Sequence, residues 1–347
     1  MKKNVTYIIA LLAIILLGLF IQAKSSVFYD EPVLRVEKVE ANSSEKTQKI
    51  EGKLLNQKGT VMLETTYYEN ESVSPLYRKG NQLILQKSAN HWQVLALKRD
   101  GYVFILIGLF ILTVLFISGE KGIRALIGLI LNSSLLVLVL WVNQRNNGLS
   151  LLFLMVIYTI IAVFLAMGTS YGFKKLEVRK VFGTLVSVFL AFLICLVAMN
   201  LLKDSGLRYE EMQFITRPYR SVFLAGLLIG AIGASMDNVV TIISALDEIR
   251  IQNEQLPLKK LVRSGRKIAQ DTASSMINVL MFAYLSGAIP SVVFYLANGW
   301  NFSEVIGMHL SLEILRTLCG GFAIVLSVPA ALFAFSMAEK WERRAIR

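Results

Sequence analysis

Apolar residues gather in eight long runs, each bounded by charge or by Asn and Gly: Val5 to Ile21, Tyr102 to Ser118, Ile123 to Val142, Leu149 to Thr169, Val181 to Leu202, Tyr219 to Leu246, Thr272 to Ala297 and Leu310 to Ser336. A hydrocarbon layer about 30 Å thick is crossed by about 20 apolar helical residues, so the pattern predicts eight transmembrane helices. Between the first two the pattern changes. Lys24 to Asp100 carries twelve basic and ten acidic residues, and its short alternating runs, "LRVEKVE", "GTVMLETTYY", "NQLILQ" and "HWQVLALK", are broken by "NQKG" and "RKGN". Alternation punctuated by Gly and Asn predicts four or five strands in a small sheet or barrel.

The expected fold class is therefore an all-α polytopic membrane protein, eight transmembrane helices with a small β-rich extracytoplasmic domain between helices 1 and 2. Residues 1–23 read as an N-terminal anchor, 24–100 as the extracytoplasmic domain, 101–338 as a seven-helix membrane domain and 339–347 as a basic cytoplasmic tail. Lys2, Lys3 and Ala23 also give the first run features of a secretory signal. The run is 17 residues long, more than the about 7–15 of a signal core, which favours an uncleaved anchor. Composition agrees with a membrane chain: 55% hydrophobic and only 17% charged residues, against about 45–50% and about 25% in soluble domains.

Charge sets the orientation. With the N-terminus inside, the inner segments hold Lys2, Lys3, Lys121, Arg124, Lys174, Lys175, Arg179, Lys180, Arg250, Lys259, Lys260, Arg263, Arg266, Lys267, Lys340, Arg343, Arg344 and Arg347. The short outer loops hold only Arg145, Lys203, Arg208, Arg217 and Arg220. Lys and Arg stay preferentially on the cytoplasmic side, so both termini are expected inside. The net charge of +12 is then directed largely at anionic lipid, and nucleic acid is not needed as a partner.

Signatures of catalysis are missing. The chain has no P-loop pattern, G-x-G-x-x-G, H-E-x-x-H, G-x-S-x-G or paired C-x-x-C. Two histidines, His91 and His309, offer little to a metal site or a Ser-His relay. Cys195 and Cys319 lie in apolar helices and read as small packing residues. The expectation is a protein that is not an enzyme and holds no cofactor or metal beyond a proton or monovalent cation.

Polar residues inside the last three helices carry the functional signal. A charged side chain at the bilayer centre costs about 2.5–3.5 kcal/mol on insertion scales, so an intramembrane carboxylate is a functional candidate by default. Asp237 is ten residues from Asp247 at the cytoplasmic end of its helix, about 15 Å along the axis. It begins a stripe, Asp237, Thr241, Ser244 and Glu248, at helical spacing. Gly226, Gly230 and Ala234 continue that face with small residues, and tilt or a break near Gly230 and Gly233 is expected in so long a span. On the next helix Asp271, Ser274, Ser275 and Asn278 fall on one face. The hairpin midpoint between the two aspartates is Glu254, which sets Asp237 and Asp271 at about the same height, where two carboxylates can share a proton or hold a cation. Each position also has a structural reading: Asp271 as the start of its helix at the interface, and Ser, Thr and Asn as glue between helices. Glu313 and Arg316 are spaced to form an ion pair. Pro290 and Pro329 mark kinks.

The stretches "GASMDNVVTIISALDEI", "RSGRKIAQDTASSMINVLMFAYLSGAIP" and "EILRTLCGGFAIVLSVPAAL", with "GEKGIRALIGLILNSSLLVLVL" and "EEMQFI", resemble the YibE/F-like family of bacterial multi-pass membrane proteins. The resemblance covers Arg99 to Phe335 and implies a bacterial cytoplasmic-membrane protein, without a biochemical activity. Asp237, Asp271, Asn278, Glu313 and Arg316 occupy positions of the family's motifs; Asn238 stands where hydrophobic or small residues are usual. A weaker likeness links the last helices to resistance-nodulation-division permeases and the export subunits SecD and SecF, which couple proton flow to movement of an external domain. The combined expectation is an ion-coupled transporter or export-related protein with Asp237 and Asp271 as proton or cation relay. The alternative is a non-transporting scaffold whose outer domain recruits an envelope partner. Partners implied are the lipid bilayer and either an envelope protein or a second copy of the chain.

Overall fold

The computed structural model describes residues 2–68, 75–88, 91–145, 148–173, 176–212 and 218–345. Lys174, Lys175, Arg217 and Arg347, used above to assign orientation, and the end of "EEMQFI" lie outside the described residues. Contacts divide the chain into two units, Met1–Ile123 and Arg124–Arg347.

In the first unit α1 (Lys2–Lys24) leads into five strands, β1 (Val33–Asn42), β2 (Thr47–Leu54), β3 (Thr60–Thr66), β4 (Gln82–Ser88) and β5 (His91–Leu97), followed by α2 (Asp100–Ser118). The strands form one antiparallel sheet in the order β3-β2-β1-β4-β5. Leu34, Val36, Ile50, Leu63, Leu83 and Leu85 make its core. The strand that the alternation does not reveal is β2. Its inward positions are Gln48, Ile50, Gly52 and Leu54, only two of them large and apolar. Gln48 is buried because its amide is satisfied, donating to the Pro75 carbonyl at 2.9 Å and accepting from the Tyr77 amide at 3.0 Å.

α1 and α2 pack backbone to backbone. A Cβ on Gly101 would lie 2.6 Å from the Gln22 Cβ and close on the Gly18 carbonyl, so only glycine permits this approach. Polar bonds tie the sheet to the helix pair. The Lys98 ammonium, fully buried, donates to the Gln22 carbonyl at 2.9 Å and faces Asp100 at 3.4 Å. The Gln22 amide returns a bond to the Lys98 carbonyl, and Tyr29 donates to Asp100 at 2.7 Å. This junction holds the Tyr29 phenol up at about 12, first through the hydrogen bond to the Asp100 carboxylate and then through burial.

The second unit contains α3 (Glu120–Arg145) from Arg124 onward, α4 (Leu151–Tyr171), α5 (Val178–Leu201), α6 (Tyr219–Gln252), α7 (Leu258–Ala297), the short α8 (Phe302–His309) and α9 (Ser311–Ala345). Local chemistry explains several ends. Ser150 caps α4 by accepting from the Phe153 amide at 3.1 Å, Asn301 and Glu304 form a capping box on α8, and Gly172 at φ 87° closes α4. α5, α6 and α9 make the centre: Gly183 leaves room for Val239 and the Ala331 backbone, and Gly265 for Leu246 and Leu332.

Among the described residues, eight helices are long and apolar enough to cross a membrane, by length and composition. Two outrun the sequence reading. α6 is one continuous helix through Gly230 and Gly233, not a broken one. α7 begins at Leu258, not Thr272, because the basic stretch is amphipathic: Leu261, Gly265, Ala269 and Ala273, spaced by four, are its buried stripe.

Candidate functional site

The segment "ASMDNVVTIISALDEI" of α6 divides by helical geometry into two faces. Ser235, Asn238, Val239, Ile242, Ile243 and Leu246 are fully buried, whereas Asp237, Thr241, Ser244 and Glu248 are exposed at the side of the bundle. The buried face carries the polar centre. The Asn238 amide nitrogen donates to the Ile324 carbonyl at 3.1 Å and to the Ser327 hydroxyl at 2.6 Å on α9, and its oxygen accepts from the Thr272 hydroxyl of α7 at 3.1 Å. One turn away the hydroxyls of Ser187 and Ser235 hydrogen-bond across α5 and α6. An amide with three partners joins three helices, which is how a buried polar group becomes a specific contact rather than a penalty.

Asp237 occupies the other face and lines a cavity of about 390 Å³. Its neighbours in that cavity come from three helices: Met167, Ser170 and Tyr171 of α4, Met236 and Thr241 of α6, and Met276 of α7. The Thr241 hydroxyl is turned onto the Asp237 backbone carbonyl at 2.7 Å.

The α6–α7 hairpin brings together Asn238 and Thr272, each one residue beyond an aspartate. Asp271, Ser275 and Asn278 are exposed on α7 and are not among the residues lining the Asp237 cavity. Ser274 lines a separate groove between α7 and α9 with Gln270, Ala273, Ile277 and Pro329. Neither Asp237 nor Asp271 takes part in an ion pair among the described residues. Glu313 and Arg316 are hydrogen-bonded to each other and line a third cavity, about 400 Å³, with Tyr284, Ser291 and His309. Among the described residues no cluster of three His, Cys, Asp or Glu side chains is placed to hold a metal ion.

A charged network closes the end of the bundle where α5 starts. Arg179 bonds Glu177 at 2.9 Å and Asp247 at 2.9 Å, and Lys180 bonds Glu177 at 2.8 Å. Burial acts to raise the Glu177 carboxyl, but the Lys180 hydrogen bond with the charges of Lys180 and Arg179 outweighs it, and the group sits below its ordinary value. Arg250 pairs with Glu339 at 2.5 Å and holds the carbonyls of Glu254 and Leu256, fastening the α6–α7 connection to α9.

In the sequence Asp237 stands out as an intramembrane carboxylate, whereas Asn238 stands out only as a departure from the family pattern. The available signal was its offset: Asn238 and Ser235 are three apart on the face opposite the Asp237 stripe, in register with Val239 and Ile242.

Among the described residues, eight helices long and apolar enough to cross a membrane, with a small antiparallel sheet between the first two in chain order, have the build of a candidate multi-pass membrane protein. Residues 106–341 match the YibE/F-like protein family. That is more than half of the chain, and it belongs to that family. No curated protein and no solved structure matches it, so the weaker likeness to resistance-nodulation-division permeases and export subunits is without support.

Proposed function

We propose that the chain is an integral protein of the bacterial cytoplasmic membrane, termini inside, in which a proton or monovalent cation at Asp237 is coupled to transport or export. Residues 24–100 are its extracytoplasmic domain, 101–338 its membrane domain and 339–347 its cytoplasmic tail. The observation that carries the reading is the Asp237 carboxylate facing a cavity walled by α4, α6 and α7 within a helix apolar enough to span a bilayer. A carboxylate so placed is costly unless a proton or cation neutralises it. Asp271 serves on this reading as a second acidic station toward the cytoplasmic end of α7. The test is flux: the full chain in proteoliposomes should move protons or alkali cations, and Asp237→Asn should abolish it. Unchanged flux in that variant overturns the reading.

One observation favours the scaffold alternative. The outer face of β1, β2 and β3 carries Lys38, Glu40, Lys49, Glu51 and Glu64 around Met62, which is 76% exposed, a mixed-charge surface suited to a protein partner. Deleting residues 24–100 separates the two: a scaffold loses all activity in cells, and a transporter retains flux through Asp237 in vesicles.

A further inference from the structure

We propose that the ion taken by the Asp237 cavity is a soft monovalent metal cation of the Cu(I) or Ag(I) class. This rests on the reading of Asp237 as an ion site and names its ligand. Three methionines from three different helices, Met167, Met236 and Met276, line the same cavity as the carboxylate. The chain has 11 methionines in 347 residues, so three around one acid is a concentration of thioether sulfur where an ion is expected. Thioethers are poor ligands for sodium or potassium and good ones for Cu(I) and its analogue Ag(I). Methionine side chains also reach and re-aim readily.

Charge points the same way. A single carboxylate lines the cavity, so a monovalent ion leaves a neutral site and a divalent one leaves an uncompensated charge. The side-chain oxygens that line the cavity are few for a hard cation, which takes about six to eight: Asp237 with the Ser170, Tyr171 and Thr241 hydroxyls. A second soft set lies elsewhere in the same bundle. Cys195 of α5 and Cys319 of α9 are free, buried and members of one core cluster. Met155 and Met199 belong to the same core cluster, Met199 one helical turn beyond Cys195.

The experiment is equilibrium dialysis of the full chain in detergent with Ag(I), and with Cu(I) under a reductant, read by elemental analysis. Wild type is compared with Met167→Leu/Met236→Leu/Met276→Leu. Leucine keeps volume and apolarity, so the fold is retained, and thermal unfolding is recorded alongside. Single Met→Leu variants carry the comparison if the triple variant melts early. The thiols are common to all these proteins, so the expected result is the loss of one bound ion per chain. Equal stoichiometry and affinity in wild type and leucine variants overturns the proposal. If Asp237→Asn abolishes proton or alkali flux while the leucine variants keep it and bind Ag(I) as wild type does, the soft-ion proposal fails and the transport reading stands. If Asp237→Asn changes neither flux nor Ag(I) binding, both fail.

Discussion

Asn238 on α6 accepts a hydrogen bond of 3.1 Å from the hydroxyl of Thr272 on α7, and the same amide donates to Ser327 on α9. Three helices thus meet at one fully buried side chain. Asp237, the preceding residue, is turned by a helical step into a cavity. The rigidity of one position and the openness of the next are consequences of the same 100° rotation.

Asn238→Ala should destabilise the bundle by about 1 kcal/mol, because it removes the amide's bonds to α7 and α9 while the Thr272 and Ser327 hydroxyls keep backbone carbonyls of their own helices as partners. Ser327→Ala should cost less, and the double variant less than the two together, since both remove one shared contact. Melting temperatures in detergent for the three variants check the ordering; strictly additive losses would refute the shared contact.

Gly101→Ala should disrupt the α1–α2 pair far more than Gly108→Ala. A methyl at Gly101 meets the backbone of Gly18 and Gln22, which cannot swing away, whereas one at Gly108 meets the side chain of Ile14, which can. Protease susceptibility and yield of folded protein compare the two; equal behaviour would argue against the close packing.

Stability should fall on mild acidification through Glu177. Its carboxyl is lowered in the folded protein, so its contribution is present above the unfolded value and is lost as pH drops through the folded one. Melting temperature should hold from neutrality to about pH 5 and decline below it. Glu177→Gln should melt lower at neutral pH and show a shallower decline. An unchanged pH profile in that variant removes Glu177 from the account.

Tyr29 should ionise late, at about 12, because the Asp100 carboxylate accepts its proton in a hydrogen bond. A raised value means that its contribution to stability is intact below pH 10 and disappears as pH passes through about 12. Ultraviolet titration of wild type against Tyr29→Phe isolates the group. Titration of Tyr29 at an ordinary phenol value would show that the bond to Asp100 is absent.

Much of the architecture was legible from periodicity, because apolar runs near twenty residues and alternating strands each carry their own signal. Where elements began was less legible. α7 starts fourteen residues before its apolar run, at Leu258, since Leu261, Gly265 and Ala269 present a small-residue stripe that only Leu246 and Leu332 make into a core. β2 was hidden because Gln48 and Gly52 face inward, and an inward Gln is sensible only once the Pro75 and Tyr77 backbone groups are there to satisfy it.

The sequence by itself determined that the chain has eight membrane-length helices, a small sheet after the first, and a carboxylate at Asp237 within a polar stripe, since composition and spacing are properties of the chain alone. Only the tertiary structure decided which face of that helix meets its neighbours. Periodicity says which residues share a face and not what lies opposite. The partners of Asn238 are 34 and 89 residues away at Thr272 and Ser327, and the Asp237 cavity exists because three separated helices supply Met167, Met236 and Met276 to the same space.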